Sequence, residues 1–429
     1  MKNQFDVIVV GAGAAGLTAG IWAARAGAKV LILEHMDQAG KKILATGNGK
    51  CNFTNEKQGI AYYRGKNPAF VLPALEQFGL KETLAFFQEL GIEPRSKRDG
   101  YYYPASGQAS AIREVLLMEC RRLSVSIGYE IGIRSIQKEN DFFLFQTKQG
   151  GFQSRSCIIA TGGKAAKQTG SDGSGIPYLV SFGHKLTDIV PALVQLQVKQ
   201  SFFKEIAGIR ADGKVELYID DEKISEDRGE LQLTSFGISG IPVFQVSRYG
   251  AYGLLYDKKV RASINFLPDL NRKQTEELLE NRFYVWGADK TAREALIGLF
   301  PEKLNLVLLK KSKIIPEKPA VRCSERERKS LAFQTQNFTV DVIGTKGFDG
   351  AQVTAGGVDT DEICPKTMES KRVNGLFFAG EVMDIDGMCG GYNLQWAWTS
   401  GYMAGISAAG FCGKEAHWEH EFQKKRGGL

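Results

Sequence analysis

FDVIVVGAGAAGLTAGIWAARAGAKVLILE, residues 5–34, decides the fold. Residues 5–10 are an apolar, β-branched run of the length a buried parallel strand needs. Gly11, Gly13 and Gly16 follow at GxGxxG spacing, with Gly20 one helical turn further on. Residues 14–26 have helical composition and stop at Gly27, and residues 29–33 form a second buried strand that closes on Glu34. Strand, glycine turn, helix and strand make a βαβ unit, which predicts a parallel, doubly wound sheet. In such a unit the first glycine makes the turn and the second lets the backbone approach a pyrophosphate. The third lets the helix pack on the strand, while Ala14 and Ala15 stand at the helix start, where N–H groups meet an anion. Glu34 falls 23 positions after Gly11 (34 − 11), where a carboxylate accepts the hydroxyls of an unphosphorylated adenosine ribose. A flavin and a nicotinamide dinucleotide fit this unit equally well.

The other end of the chain separates them. GLFFAGE, 375–381, is a buried strand ending in Gly380 and Glu381. Flavin proteins of the glutathione-reductase type use such a late strand–glycine–acid segment to hold the ribityl hydroxyls, and a nicotinamide domain needs none. The pair of motifs therefore predicts FAD. GGYNLQ, 390–395, leads into a helix; backbone N–H groups at Gly391, Asn393, Leu394 and Gln395 could meet the flavin pyrimidine carbonyls, or the glycines could simply admit a helix. GKKILATGNGKCN, 40–52, reads as a loop wrapping the pyrophosphate and isoalloxazine through Lys41, Thr46, Gly47, Asn48, Gly49, Cys51 and Asn52. Its one thiol lacks a second cysteine in the loop, so packing against the ligand is the better reading of Cys51 than dithiol chemistry. Thr161 and Gly162 mark a turn at the carboxyl end of another strand.

At 429 residues the chain predicts two or three domains. Its 43% hydrophobic and 24% charged residues are those of a globular enzyme. Residues 68–92 carry helical periodicity, residues 125–159 read as a strand meander, and the texture changes near residue 191. The expected division is an FAD-binding domain over 1–190 and 335–429, an inserted β domain over 191–267 and 314–334, and a helical subdomain over 268–313. The formal charge of +7 is spread thinly, which fits a mildly basic enzyme better than a nucleic-acid binder. Seven cysteines without a CxxC pair suit a reducing compartment. His417 and His420 read as a solvated helix face, and no metal is expected. No stretch reaches 18 uninterrupted apolar residues, so a cytoplasmic enzyme off the membrane is expected. Oligomeric state has no signal.

GAGAAGLTAG at 11–20, GKKILATGNGKCNFTN at 40–55, TAGGVDTDE at 354–362 and GLFFAGEVMDIDGMCGGYNLQWAWTSGYMAG at 375–405 together resemble the BaiN-like flavoproteins, also called the aminoacetone-oxidase family. The resemblance runs over nearly the whole chain. It implies an α/β, doubly wound Rossmann-type FAD-binding domain of glutathione-reductase type, with an inserted antiparallel β-barrel-like domain and a small helical domain, holding FAD non-covalently. It also implies a small-molecule substrate and one of two chemistries. The first is oxidation of small primary amines or α-aminoketones such as aminoacetone by oxygen, releasing ammonia and hydrogen peroxide. The second is reduction of conjugated ketones with NAD(P)H as electron donor. An FAD-bearing RNA-modifying protein is a third reading, prompted by the charge. The substrate-side candidates are Tyr101, Tyr102, Tyr103, Asp384, Asp386 and Tyr392, with Tyr102, Asp384 and Tyr392 as the expected catalytic set; the tyrosines at 101–103 read equally well as strand packing.

Overall fold

Buried backbone polar groups must pair, and the apolar runs around the glycine motif do so as a single sheet. The computed structural model describes residues 3–97 and 100–414, so His417 and His420 lie outside the described residues. Strand β1 (Gln4–Val10), helix α1 (Ala14–Arg25) and strand β2 (Val30–Leu33) form the opening unit. Helix α2 (Ala109–Arg122) leads to β3 (Ser126–Gly128), and β4 (Ile133–Glu139), β5 (Phe142–Thr147) and β6 (Gly151–Ile159) make a meander. The late strand β7 (Leu376–Phe378) returns, followed by helix α3 (Tyr392–Phe411). The sheet order is β3-β2-β1-β6-β5-β4, with β7 also on β6. β1 is parallel to β2 and β6, and β7 is parallel to the carboxyl half of β6, whose amino half pairs with β5 antiparallel.

Small residues let the two long helices of this unit touch at their backbones. A Cβ on Gly401 would stand 2.7 Å from Ala15 O, and one on Gly405 would press on Ala19 O. Helix α3 also closes a buried polar knot. Gln395 is fully buried; its Oε1 accepts from Thr54 Oγ1 at 2.5 Å, and its Nε2 donates to Thr83 Oγ1 at 2.8 Å and Thr399 Oγ1 at 2.9 Å. Every polar atom of the amide is bonded within the core, so the Gln395 side chain serves packing there. Gln395→Leu removes these partners and strands the hydroxyl of Thr54, an expected loss of about 2–4 kcal/mol. Urea unfolding of the flavin-bound variant measures it, and a shifted flavin absorbance with unchanged stability would sink the assignment.

The chain divides into two compact units, residues 1–189 with 353–429, and residues 190–352. The second unit is built on a closed antiparallel barrel of Leu196–Val198, Gly237–Ser239, Glu222–Thr234, Arg210–Ile219, Val260–Asn265 and Phe338–Thr345, in that order. Helix Ile241–Leu255 buries Val243, Val246 and Gly250, and a Cβ on Gly250 would meet Leu196 and Leu217 at ordinary packing distance. The strand Phe338–Thr345 pairs with Val260–Asn265 and with Leu196–Val198 to close the barrel, so the chain re-enters the first unit at Val353 rather than at residue 335. The helices Arg272–Glu280, Glu302–Lys311 and Glu325–Gln336 belong to this second unit. No helix among the described residues is long and apolar enough to cross a membrane.

Candidate functional site

Parallel strands end at the same edge of their sheet, so the turns after β1, β6 and β7 gather there. Gly11 turns with φ +99°, and a Cβ on Gly16 would overlap Gly11 O, so only glycine lets α1 start this close to β1. Gly13 is different: nothing lies within 4 Å of its Cβ position, which leaves the start of α1 open to a ligand. The first N–H groups of that helix have no acceptor within it, which suits an anion.

Glu34 is 7% exposed; its Oε2 accepts from Ala12 N at 2.7 Å and its Oε1 from Met36 N at 2.8 Å. It thus fixes the glycine turn while each oxygen keeps a lone pair for a ribose hydroxyl. After β6, Gly163 lies against Thr354 and Glu381, and Gly162, Gly163, Thr354, Gly357 and Glu381 line one crevice. After β7, Gly380 turns with φ +77°, its N–H bound by Ser400 Oγ of α3 at 2.9 Å. A Cβ on Gly380 would stand 2.8 Å from Ala15 Cβ, which places the late motif against the first helix. Glu381 Oε1 accepts Thr354 N at 2.8 Å, and its Oε2 takes the Lys42 ammonium at 2.8 Å.

The 40–52 segment lies on the same turn, since Gly40 N donates to Ala12 O at 2.8 Å. Its next residues hold left-handed backbone at Gly47, Asn48, Gly49 and Cys51, with φ of 55°, 54°, 81° and 55°. Two of those are not glycine, and such strain collects where a loop is shaped for a ligand. Thr46 Oγ1 is held within the segment by Ile43 O at 2.6 Å. Cys51 is buried, and burial pushes its thiol up to about 12, so it packs and does not ionise. Lys41 pairs with the exposed Asp37 at 3.0 Å, and the neighbouring Lys42 pairs instead with Glu381 of the late motif. Lys42 was not legible, because adjacent lysines differ only in which side of a short helix they occupy.

Buried oxygens without partners mark where a ligand belongs. Asn52 Oδ1, Thr161 Oγ1 and Ser171 Oγ are buried with no hydrogen-bond partner, and each lies at one of these turns. Together with the open start of α1 and the two acids, they fit an FAD spanning the strand ends. Glu34 would hold its ribose, the α1 N–H groups its pyrophosphate, and Glu381 its ribityl chain.

The substrate-side candidates separate. Tyr101–Pro104 is a strand paired with Thr54–Asn55 and Pro94–Ser96, and alternate residues of a strand face opposite sides. Tyr102 packs on the hydrophobic core. Tyr103 is next to Gly47, and Tyr101 is next to Gly390 with Tyr392. Tyr392 is 3% exposed and stacks on Tyr62, with ring centroids 4.6 Å apart and planes 6° from parallel. Tyr63 meets Tyr392 edge-on at 6.0 Å. Burial, then the neighbouring phenols Tyr62 and Tyr101, hold the Tyr392 hydroxyl well above the ordinary phenol range. Tyr62 was not singled out from the sequence, having no motif around it. Asp384 is buried and accepts Lys66 N at 2.9 Å, while Asp386 pairs with Arg64 across a two-residue ladder. Asp384 therefore holds the 65–66 loop. Asn393 clamps Gly387, its Oδ1 accepting Gly387 N and its Nδ2 donating to Gly387 O, both at 2.8 Å. Leu394 packs against the core. At this helix start Asn393 and Gln395 are bonded within the protein, which leaves the first backbone N–H groups from Gly391 as the ones that would face a flavin.

One further constellation has the spacing of a nucleophilic triad. His184 Nε2 is 2.9 Å from Ser370 Oγ and its Nδ1 is 3.0 Å from Glu362 Oε2. Ser370 is buried, and its oxygen already accepts the Arg372 and Val373 N–H groups at 3.0 and 2.9 Å, so the group is a structural pin. Burial pushes the His184 imidazole down, against the upward pull of Glu362. Glu362 is raised by burial but brought down to about 2 by Arg372, the Lys185 N–H and His184. Below about 6.5 the unfolded chain then binds a proton that the folded His184 refuses, so stability present above that pH falls as pH drops. A second fall follows below about 4.5, as Glu362 titrates in the unfolded chain first. Melting temperatures between pH 8 and 5 should slope for the wild type and flatten for His184→Gln; equal slopes would refute it.

Residues 5–407 match the family model described as the HI0933-like protein Rossmann domain. The chain is 44% identical to the 3-dehydro-bile acid delta(4,6)-reductase of Clostridium scindens, over 94% of this chain and 98% of that protein. It is 31% identical to the ribosomal RNA dihydrouridine synthase of Escherichia coli, over 93% of this chain and 97% of that one. Among solved structures, 3-ketosteroid delta1-dehydrogenase from Sterolibacterium denitrificans shares the fold, with a TM-score of 0.50 at 12% identity over 95% of this chain and 100% of that one. The chain belongs to the HI0933-like Rossmann-domain family and is an FAD-dependent oxidoreductase.

Proposed function

We propose that this enzyme reduces a carbon–carbon double bond conjugated to a ketone in a hydrophobic small molecule, with NAD(P)H as the electron source. The observation that carries the reading is the 44% identity, end to end, with a reductase named for such bonds in a bile acid. The aromatic wall of Tyr62, Tyr101 and Tyr392 supports it, because flat rings bound an apolar ring system well. None of the relatives named here carries the name of an amine oxidase. Once bound and reduced by NAD(P)H, the flavin would supply the hydride that the β-carbon of the substrate accepts.

The residues of the chain do the rest. A phenol held above its ordinary range stays protonated at neutral pH. Tyr392 can then donate a hydrogen bond to the ketone oxygen as negative charge gathers there, and supply the balancing proton. Burial of Tyr392 and Tyr63 keeps water from competing for that bond. Tyr62 and Tyr63 fix the ring of Tyr392, one on its face and one edge-on.

The dihydrouridine synthases carry a second reading, reduction of a uracil ring in RNA, which is also a conjugated carbonyl. The basic stretch 303–329 holds nine Lys and Arg against three Glu, but Lys310, Lys318 and Lys329 are already paired with Glu205, Glu327 and Glu325. That favours the small molecule. Anaerobic reduction of the holoenzyme by NADPH or NADH, followed by a steroid-like enone, aminoacetone or ribosomal RNA, decides between them. Rapid return of oxidised flavin with the enone alone is expected. Bleaching of oxidised flavin by aminoacetone would overturn the proposal, and turnover with RNA alone would replace it with the second reading.

A further inference from the structure

The geometry points to Lys42 as the cation that meets the FAD pyrophosphate, held ready for it by the ion pair with Glu381. A pyrophosphate brings about two negative charges, whereas a helix N-terminus offers roughly half a positive one. The glycine turn itself carries no basic side chain. A nearby cation is therefore wanted, and two lysines compete for the place.

Lys41 pairs with Asp37, an exposed carboxylate four residues back on the same segment. Lys42 reaches across 339 positions of sequence to Glu381, and the two side chains are 27% and 18% exposed. Its backbone is fixed on the phosphate turn by the Gly40 N to Ala12 O hydrogen bond, by Arg113 Nε to Ala39 O at 2.8 Å, and by the buried Ile43. Glu381 is fixed as well, through Thr354 N and through Gly380, which lies against Ala15 in the first turn of α1. The ammonium thus stands between the early and the late cofactor motifs, next to the helix start that has room for a ligand. When the pyrophosphate arrives, Lys42 can turn to it while Glu381 keeps its Thr354 bond and frees one oxygen for the ribityl chain.

The test uses flavin-stripped full-length protein and reads binding and stability rather than turnover. Lys42→Met should weaken FAD binding about 10- to 100-fold. It should weaken ADP, which carries the pyrophosphate but no ribityl chain, by the same factor. The salt dependence of both affinities should shrink, and Lys42→Arg should restore most of the loss. Glu381→Gln, which removes the competing carboxylate charge, should leave ADP binding unweakened. The proposal fails if Lys42→Met binds FAD like the wild type. It also fails if FAD weakens while ADP does not, for the lysine would then act through Glu381 on the ribityl side. A lowered melting temperature of the flavin-free variant with unchanged affinity would make the pair a structural latch and reject the proposal. Should Lys42→Met not fold, the Glu381→Gln arm and the salt dependence of the wild type and Lys42→Arg still decide it.

Discussion

Gly13→Ala is expected to weaken FAD binding about a hundredfold while leaving the melting temperature of the flavin-free protein within about a degree of wild type. The reason lies in what surrounds that position. Gly13 has φ −78° and ψ −169°, backbone that alanine adopts freely, and its Cβ would meet no atom within 4 Å. The flavin-free protein therefore loses nothing. A methyl group there occupies the approach to the first N–H groups of α1, and losing their charge-assisted hydrogen bonds costs about 2–3 kcal/mol, about a hundredfold in affinity. Gly16→Ala makes the contrast. Its Cβ would overlap Gly11 O, so the helix must move off the turn, and both stability and binding should fall. Fluorescence titration of stripped protein and thermal melts read the two effects apart. If Gly13→Ala binds FAD within about threefold of wild type, the pyrophosphate does not lie on this helix.

The contrast between those glycines also shows what could be read from sequence. GAGAAG with its flanking apolar runs specified β1, α1 and β2 to within a residue or two, because each glycine answers a backbone constraint local to the motif. The pairing of GLFFAGE with it was legible for the same reason. The strand Glu222–Thr234 was not: EKISEDRGELQLT offers only the exposed Ile224 before Leu231 and Leu233, since most of its hairpin faces solvent. The helix Ile241–Leu255 was not singled out; its glycines at 250 and 253, which admit barrel side chains, blur its apolar periodicity. Around the motifs, glycine turns follow from local backbone constraints, whereas side-chain partners do not. Gln395, Asn393 and Asp384 sit beside the right motifs, yet each amide or carboxylate bonds to a segment distant in sequence or to a neighbouring turn. Sequence spacing gives proximity along the chain; direction across it comes only from packing.

Direction is also what singles out Tyr392. Its Phe variant is expected to slow oxidation of the reduced enzyme by an enone about 10²- to 10³-fold, the range for losing a positioned proton donor. Reduction of the enzyme by NAD(P)H should be unchanged, because that half of the cycle needs no proton at the ketone. Tyr392→Phe keeps the stack on Tyr62 and the edge contact with Tyr63, so the wall stays in place and only the hydroxyl is lost. Tyr102→Phe, on the core face of its strand, should change either half-reaction by about twofold at most. Because burial and the neighbouring phenols raise Tyr392, the hydroxyl remains protonated past the usual phenol value. The wild-type enone rate should therefore show no alkaline fall up to about pH 10, whereas an ordinary phenol near pH 10 would by then have lost half its donors. Stopped-flow traces of the two half-reactions across that range separate the cases. An equal slowing of both halves in Tyr392→Phe would mean that the ring only positions the cofactor, and the proton must then come from another group.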